Sequence, residues 1–226
     1  MKLNQDYVKR LKELDSPEFQ SGISTGAFVV DKKICYLPDN NRGVLYENIT
    51  RIDFCNLYAN IQIELFNEGL IEEEWTYDID RVKWFLKNRK ELKSLSSGKY
   101  KKWKIYCNSI YMKIKSPYVL EYVGMFYNGL IQKYGDLVIY NDTDILYLNI
   151  DKVSFKSKEL VSELKDFEYD VEFINYLYLE DIKKYIEQEE SGQINTKGFL
   201  DRDKKQKMLN IIKREVRRKK LESLGI

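Results

Sequence analysis

Apolar side chains recur along this chain with two periods, and the changes from one to the other mark out its elements. Residues 27–36 alternate in the manner of a strand, and the stretch 38–43, from a proline to a glycine, closes a turn after them. Residues 49–54 read as a short buried strand with an acid, Asp53, at its end; 57–66 then take helical spacing, stopped near Gly69. Asp80 is an N-cap candidate for a helix through Lys93, with Val82, Phe85, Leu86 and Leu92 apolar. A breaker at 94–98 and a second helix over 101–112 make the pair a helical hairpin. Ser116-Pro117 starts a further helix, carrying Leu120, Val123, Tyr127 and Ile131, which Gly135 stops. The clearest β-hairpin has strands at 137–140 and 145–150 around a turn at 141–144. A second hairpin pairs 181–187 with 194–199 across 190–193, and 202–221 is a basic helix with Leu209, Ile212 and Val216 on one face. There is no tandem repeat. The order predicts an α+β fold: a small antiparallel sheet with packed helices, and a helical hairpin projecting from it.

Composition narrows the chemistry. At 226 residues, with 33% charged and 43% hydrophobic, the chain has the make-up of a soluble globular protein. No apolar run reaches the roughly 20 residues that span a bilayer, and residues 1–10 lack a secretory apolar core, so a cytosolic protein with no membrane partner is expected. Cys35, Cys55 and Cys107 are odd in number and widely spaced, which reads as reduced thiols. The chain contains no histidine, which excludes His-based acid–base catalysis and disfavours the usual zinc sites. Chemistry is left to carboxylates, Lys, Arg, Tyr or a hard metal ion. A net charge of +2 does not argue for nucleic acid, but the basic stretch 204–220 does.

Asp142 and Asp144 fall at the tip of the first hairpin. Two carboxylates that close repel each other unless a cation neutralises them, and magnesium is satisfied by one or two carboxylates, water and phosphate oxygens. Alone, such a tip reads more readily as a solvated acidic turn. Lys104 and Asn108 are four apart and share a helix face, as do Arg89 and Lys93 on the preceding helix; alone, these read as solvated faces.

In chain order the sequence reads Asp-Phe-Cys-Asn-Leu-Tyr-Ala-Asn over 53–60, then Arg89-x-x-x-Lys93, then Lys104-x-x-x-Asn108-Ser109-x-Tyr111, then Tyr140-Asn141-Asp142-Thr143-Asp144. This resembles the family-B DNA polymerases, whose pattern is DxxSLYPS, a basic fingers helix, KxxxNSxYG and YGDTDS. Order and spacing both fit. Lys183-Lys184-Tyr185, followed by Thr196-Lys197-Gly198, resembles the family's KxY motif at the palm–thumb junction, and Ser24-Thr25-Gly26-Ala27 resembles its YxGG/A motif without the tyrosine. The likeness covers about residues 22–201. Asn56, Ala59, Asn60, Met112, Asn141 and Ile145 depart from the family's residues; none stands at a metal-binding carboxylate.

The resemblance implies a polymerase palm, a helical-hairpin fingers subdomain and a vestigial thumb, divided as 1–70, 71–112, 113–192 and 193–226. It implies a DNA-templated DNA polymerase that adds deoxynucleotides to a primer 3′-hydroxyl by two-metal phosphoryl transfer. Asp53 and Asp144 would bridge two Mg²⁺ ions, with Asp142 as the third acid. Arg89, Lys93, Lys104 and Asn108 would hold the triphosphate, Tyr58 would exclude a 2′-hydroxyl, and Tyr111 would pack beside the nascent base pair. Lys183 and Tyr185 would hold primer–template DNA, with Lys213, Arg214, Arg217 and Arg218 as further phosphate contacts or a solvated face. Only about fifty residues precede Asp53, too few for a proofreading exonuclease. Expected partners are therefore primer–template, dNTPs and a separate exonuclease or thumb polypeptide, in a bacterial or phage-infected cytoplasm. Three alternatives stay open: a subunit of a split polymerase, a primase-like nucleotidyltransferase, and a non-catalytic nucleic-acid-binding relic.

Overall fold

The computed structural model describes residues 2–14, 27–30, 33–95, 97–114, 116–151, 154–155, 164, 166–181, 183–199 and 202–224. Among these, eight strands form one antiparallel sheet: β1 (Ala27–Val30), β2 (Lys33–Tyr36), β3 (Val44–Phe54), β4 (Val138–Asp142), β5 (Ile145–Leu148), β6 (Tyr169–Asp181), β7 (Lys184–Glu189) and β8 (Ile194–Lys197). Their spatial order is β1-β2-β4-β5-β3-β6-β7-β8. The sheet is larger than the small one the sequence predicts, because β3 runs eleven residues and pairs along its length with the thirteen-residue β6.

Among the described residues six helices accompany it: α1 (Gln5–Lys12), α2 (Leu57–Asn67), α3 (Thr76–Leu95), α4 (Ser97–Ile114), α5 (Pro117–Tyr134) and α6 (Arg202–Ser223). α2 and α5 cover one face of the sheet. Ile52 and Phe54 of β3, with Leu146 and Leu148 of β5, meet Leu57, Ile61, Val123 and Phe126 there. Phe54 lies edge-on to Phe126, Tyr127, Phe167 and Tyr169, a ring cluster whose loss on Phe→Ala typically costs about 3–5 kcal/mol. Strand alternation then sends Asp53 to the opposite face.

The α3/α4 hairpin stands beside α2, joined to it through Ile63, Ile79, Val82, Phe85, Cys107 and Ile110. α3 begins at Thr76, one turn before the expected cap Asp80, because Glu73–Trp75 form a 3-10 turn that leads directly into it. α6 lays Met208 and Ile212 on Tyr176 and Ile186 of β6 and β7. A division at residue 193 would cut the β7–β8 hairpin, since β8 belongs to the sheet. Residues 24–26, which carry the YxGG/A resemblance, lie outside the described residues. No described helix is long and apolar enough to cross a membrane.

One buried carboxyl is not among the residues that pair or line up with the hairpin acids. Glu121 of α5 is buried with Oε2 unpartnered among the described residues, and burial raises its pKa against a smaller pull downward from Arg10. A carboxyl whose folded pKa is raised holds its proton more tightly when folded. Stability is then greatest below the unfolded value and falls as pH rises through the folded one. Glu121→Gln is expected to raise Tm at about pH 7 and to leave it unchanged at about pH 3, below the ordinary carboxylate value. Thermal unfolding followed by circular dichroism at the two pH values checks this; a Tm gain that is equal at both would refute it.

Candidate active site

β3 and β5 bring Asp53 and Asp144 together. Asp53 is the cross-strand partner of Ile145, and the Phe54 N–H donates to the Asp144 carbonyl at 2.8 Å. The β4–β5 connection is a two-residue turn of Thr143 and Asp144. Thr143 takes φ 64°, the positive value that short hairpin turns require and that a β-branched residue adopts only under strain. Three contacts hold it there. The Tyr127 hydroxyl donates to the Thr143 carbonyl at 2.9 Å, the Asn141 amide donates to the Thr143 and Ile145 carbonyls at 3.2 Å, and the Thr143 hydroxyl donates to Asp144 Oδ1 at 2.6 Å. Asn141 thus has a local role at the position where the resembled motif has glycine.

Asp142 is not at the hairpin tip. It is the last residue of β4, fully buried, and ion-paired to Lys197 at the end of β8, with its Oδ1 unpartnered among the described residues. The strand continues two residues further than the apolar pattern implied, because Asn141 pairs with Tyr36 and Leu146, and Asp142 with Cys35 and Ile145.

Asp53, Asp144, Tyr58, Arg89, Lys93 and Lys104 line one cleft of about 700 Å³, together with Cys55, Glu168 and Asp170. Burial raises the Asp53 pKa above the ordinary carboxylate value. The charges of Asp144 and Asp170 add to this, while Arg51 and Lys104 offset part of it. The site therefore concentrates negative charge that a cation would relieve. Among the described residues no group of three or more His, Cys, Asp or Glu side chains could hold a metal ion. Two carboxylate oxygens with substrate phosphates and water are the donors magnesium commonly takes.

No protein-family model matches the sequence, and no curated protein does. Among solved structures the chain is similar to the family B DNA polymerase from the hyperthermophilic archaeon Pyrobaculum calidifontis, at a TM-score of 0.42 and 16% identity. The likeness covers 70% of this chain and 28% of that one, so the chain spans little more than a quarter of that polymerase.

The cationic residues differ in their engagement. Arg89 is ion-paired with Glu168 and hydrogen-bonded to Cys55, and these two outweigh the lowering effect of its burial to raise its pKa. Lys93 and Lys104 are exposed at the cleft wall. Asn108 and Tyr111 belong to α4, but their side chains lie outside the described part of the structure. Lys183 turns into β7 at φ 53°, and its N–H donates to the Tyr140 hydroxyl at 2.7 Å. Tyr185 is 5% exposed and packs with Tyr140 and Tyr147, and unlike Tyr58 it does not line the cleft. Lys213, Arg214, Arg217 and Arg218 lie on α6, with Arg218 ion-paired to Glu215 and Glu222.

Sequence reasoning missed Asp170 and Glu168. Asp170 is the cross-strand partner of Asp53, and Glu168 takes the Cys55 N–H on its carbonyl at 2.8 Å. The available signal was the alternation of Tyr169, Val171 and Phe173 with polar residues, a half-buried strand pattern whose polar face carries Asp170.

Proposed function

We propose that this chain is the core of a template-directed DNA polymerase, acting on a primer 3′-hydroxyl and deoxynucleoside triphosphates. The observation that carries the reading is the single cleft. Motif residues from four separate segments line it, with carboxylates on the sheet and cations on the helical hairpin. Asp53 and Asp144 would hold magnesium, which when bound activates a hydroxyl nucleophile and offsets charge on the leaving pyrophosphate. Lys93 and Lys104 present ammonium groups across the cleft from these acids, suited to a triphosphate. Arg89 would join them on exchanging Glu168 for a phosphate. Asp142, paired with Lys197, acts through the turn that carries Asp144. The test is primer extension with and without template in magnesium. Template-dependent addition supports the reading; addition without template favours a terminal transferase, and none at all overturns it.

Tyr58 would set sugar choice. It lines the cleft in the first turn of α2, is only 4% exposed, and is held between Leu57 and Ile61, both fully packed. A ring that cannot retreat discriminates by clash with the wrong substrate. Tyr58→Ala is expected to raise ribonucleotide use relative to deoxyribonucleotide by about tenfold, about 1.4 kcal/mol of discrimination. Single-addition efficiencies with dATP and ATP measure it. Equal use of both sugars by the unaltered chain would favour a primase-like enzyme.

A further inference from the structure

The helical hairpin carries a second polar-aromatic surface that the cleft does not use. On α3, Tyr77, Arg81 and Trp84 are spaced four and three apart and share one face. Trp84 and Lys93 are nine residues apart, two and a half helical turns, so this face points away from the cleft. Tyr77 is 69% exposed and Trp84 47%. The Arg81 guanidinium lies 5.3 Å from the Tyr77 ring, 5.5 Å from Trp103 and 4.7 Å from Tyr106, and the Trp84 and Trp103 rings are 4.9 Å apart. Tyr106 is fixed by a 2.7 Å hydrogen bond to Asp78, and Trp103 by stacking on Phe85 of the hairpin core. The result is a rigid platform with two open rings at its surface.

Its charge selects the occupant. Leaving out Arg89, Lys90, Lys93 and Lys104, which line the cleft, residues 76–114 hold seven Lys and Arg against three acids, Asp78, Asp80 and Glu91: net +4, against +2 for the whole chain. A protein partner with an apolar patch would have no use for this concentration of positive charge. A polynucleotide with unpaired bases has use for both features, stacking its bases on the rings and setting its phosphates among the lysines. Duplex bases are already stacked and offer the rings nothing.

We infer that the outer face of α3 and α4 binds single-stranded nucleic acid, with Trp84 and Tyr77 as stacking surfaces and Arg81 as the cation between them. For a polymerase this would be the unpaired template ahead of the cleft, and only that last identification rests on the function proposed above. The experiment uses the full chain, a fluorescent oligothymidylate and a blunt hairpin duplex of equal length, without primer, nucleotide or metal. Tryptophan fluorescence is read alongside anisotropy, since a stacked base quenches the ring it covers. Trp84→Ala is expected to weaken oligothymidylate binding by about tenfold, to remove most of the quench, and to leave duplex binding unchanged. Lys87→Glu, an exposed change on the same helix that leaves the rings in place, is expected to weaken binding and flatten its salt dependence. Unchanged affinity in Trp84→Ala, with circular dichroism showing an intact fold, overturns the inference, as does equal loss of single-strand and duplex binding. Primer extension by the unaltered chain, run in parallel, separates the two proposals: oligothymidylate binding that is lost in Trp84→Ala without any extension sinks the polymerase reading alone, and extension with unchanged binding in Trp84→Ala sinks this inference alone.

Discussion

Asp144→Asn is expected to reduce magnesium-dependent nucleotide addition by about a thousandfold, about 4 kcal/mol of lost charge stabilisation, with the fold preserved. The substitution is isosteric. Asparagine Oδ1 can still accept from the Thr143 hydroxyl, and the backbone carbonyl still accepts from Phe54. What disappears is one negative charge beside Asp53. That charge helps raise the Asp53 pKa, so its removal eases the metal-free fold while depriving a cation of half its carboxylate ligands. Two readouts therefore move in opposite directions. Without divalent ions the variant is expected to melt no lower than the parent chain. With magnesium the parent is expected to gain in Tm and the variant to gain little, since a ligand stabilises only the state that binds it. Asp53→Ala is expected to lose activity to the same degree. Full single-turnover activity in either variant would sink the assignment of these acids.

The site was legible in the sequence where spacing alone fixes geometry. Arg89 and Lys93, or Leu57 and Ile61, are one helical turn apart wherever their helix lies, and the hairpin pattern puts Asp144 within its turn, although the sequence reads that turn as 141–144 and the structure closes it over Thr143 and Asp144 alone. Legibility failed where long-range pairing decides. Asp170 meets Asp53 only because β6 pairs with β3 along ten residue pairs, a register that nothing local to either strand dictates. Glu168 reaches Arg89 across 79 positions of sequence for the same reason. Tyr185 illustrates the converse. Its neighbours in the motif imply contact with DNA, while its ring packs with Tyr140 and Tyr147 in the core. Periodicity does not reveal which face of a strand a sheet will cover.

Lys197, which the sequence places only within the KxY-like segment, gains a stabilising role from the structure, and its removal is expected to be costly. Asp142 is wholly buried and paired to Lys197 across 55 positions of sequence, while the ammonium group also sits 5.7 Å over the Tyr185 ring. The approach is fixed by the next residue. Gly198 takes φ 72°, and a Cβ there would lie 2.2 Å from the Lys183 carbonyl oxygen, so the end of β8 presses against the start of β7 and aims Lys197 inward. Breaking a buried ion pair by removing one partner costs about 3–5 kcal/mol, because the other charge is left without compensation. Lys197 is 43% exposed, so water can reach toward the vacated position and the penalty shrinks to about 2 kcal/mol. For a chain of this size that lowers Tm by about 4–8 °C. Lys197→Met tests it while keeping the aliphatic stem on Tyr185. Asp142→Asn in the same chain removes the stranded charge and is expected to restore most of the loss, a coupling that a merely structural role for the lysine stem would not produce. Because Asp142 leads directly into the strained Thr143–Asp144 turn, Lys197→Met is also expected to lower the turnover rate while leaving nucleotide KM nearly unchanged. A Tm equal to that of the parent chain would show that the pair does not hold the turn.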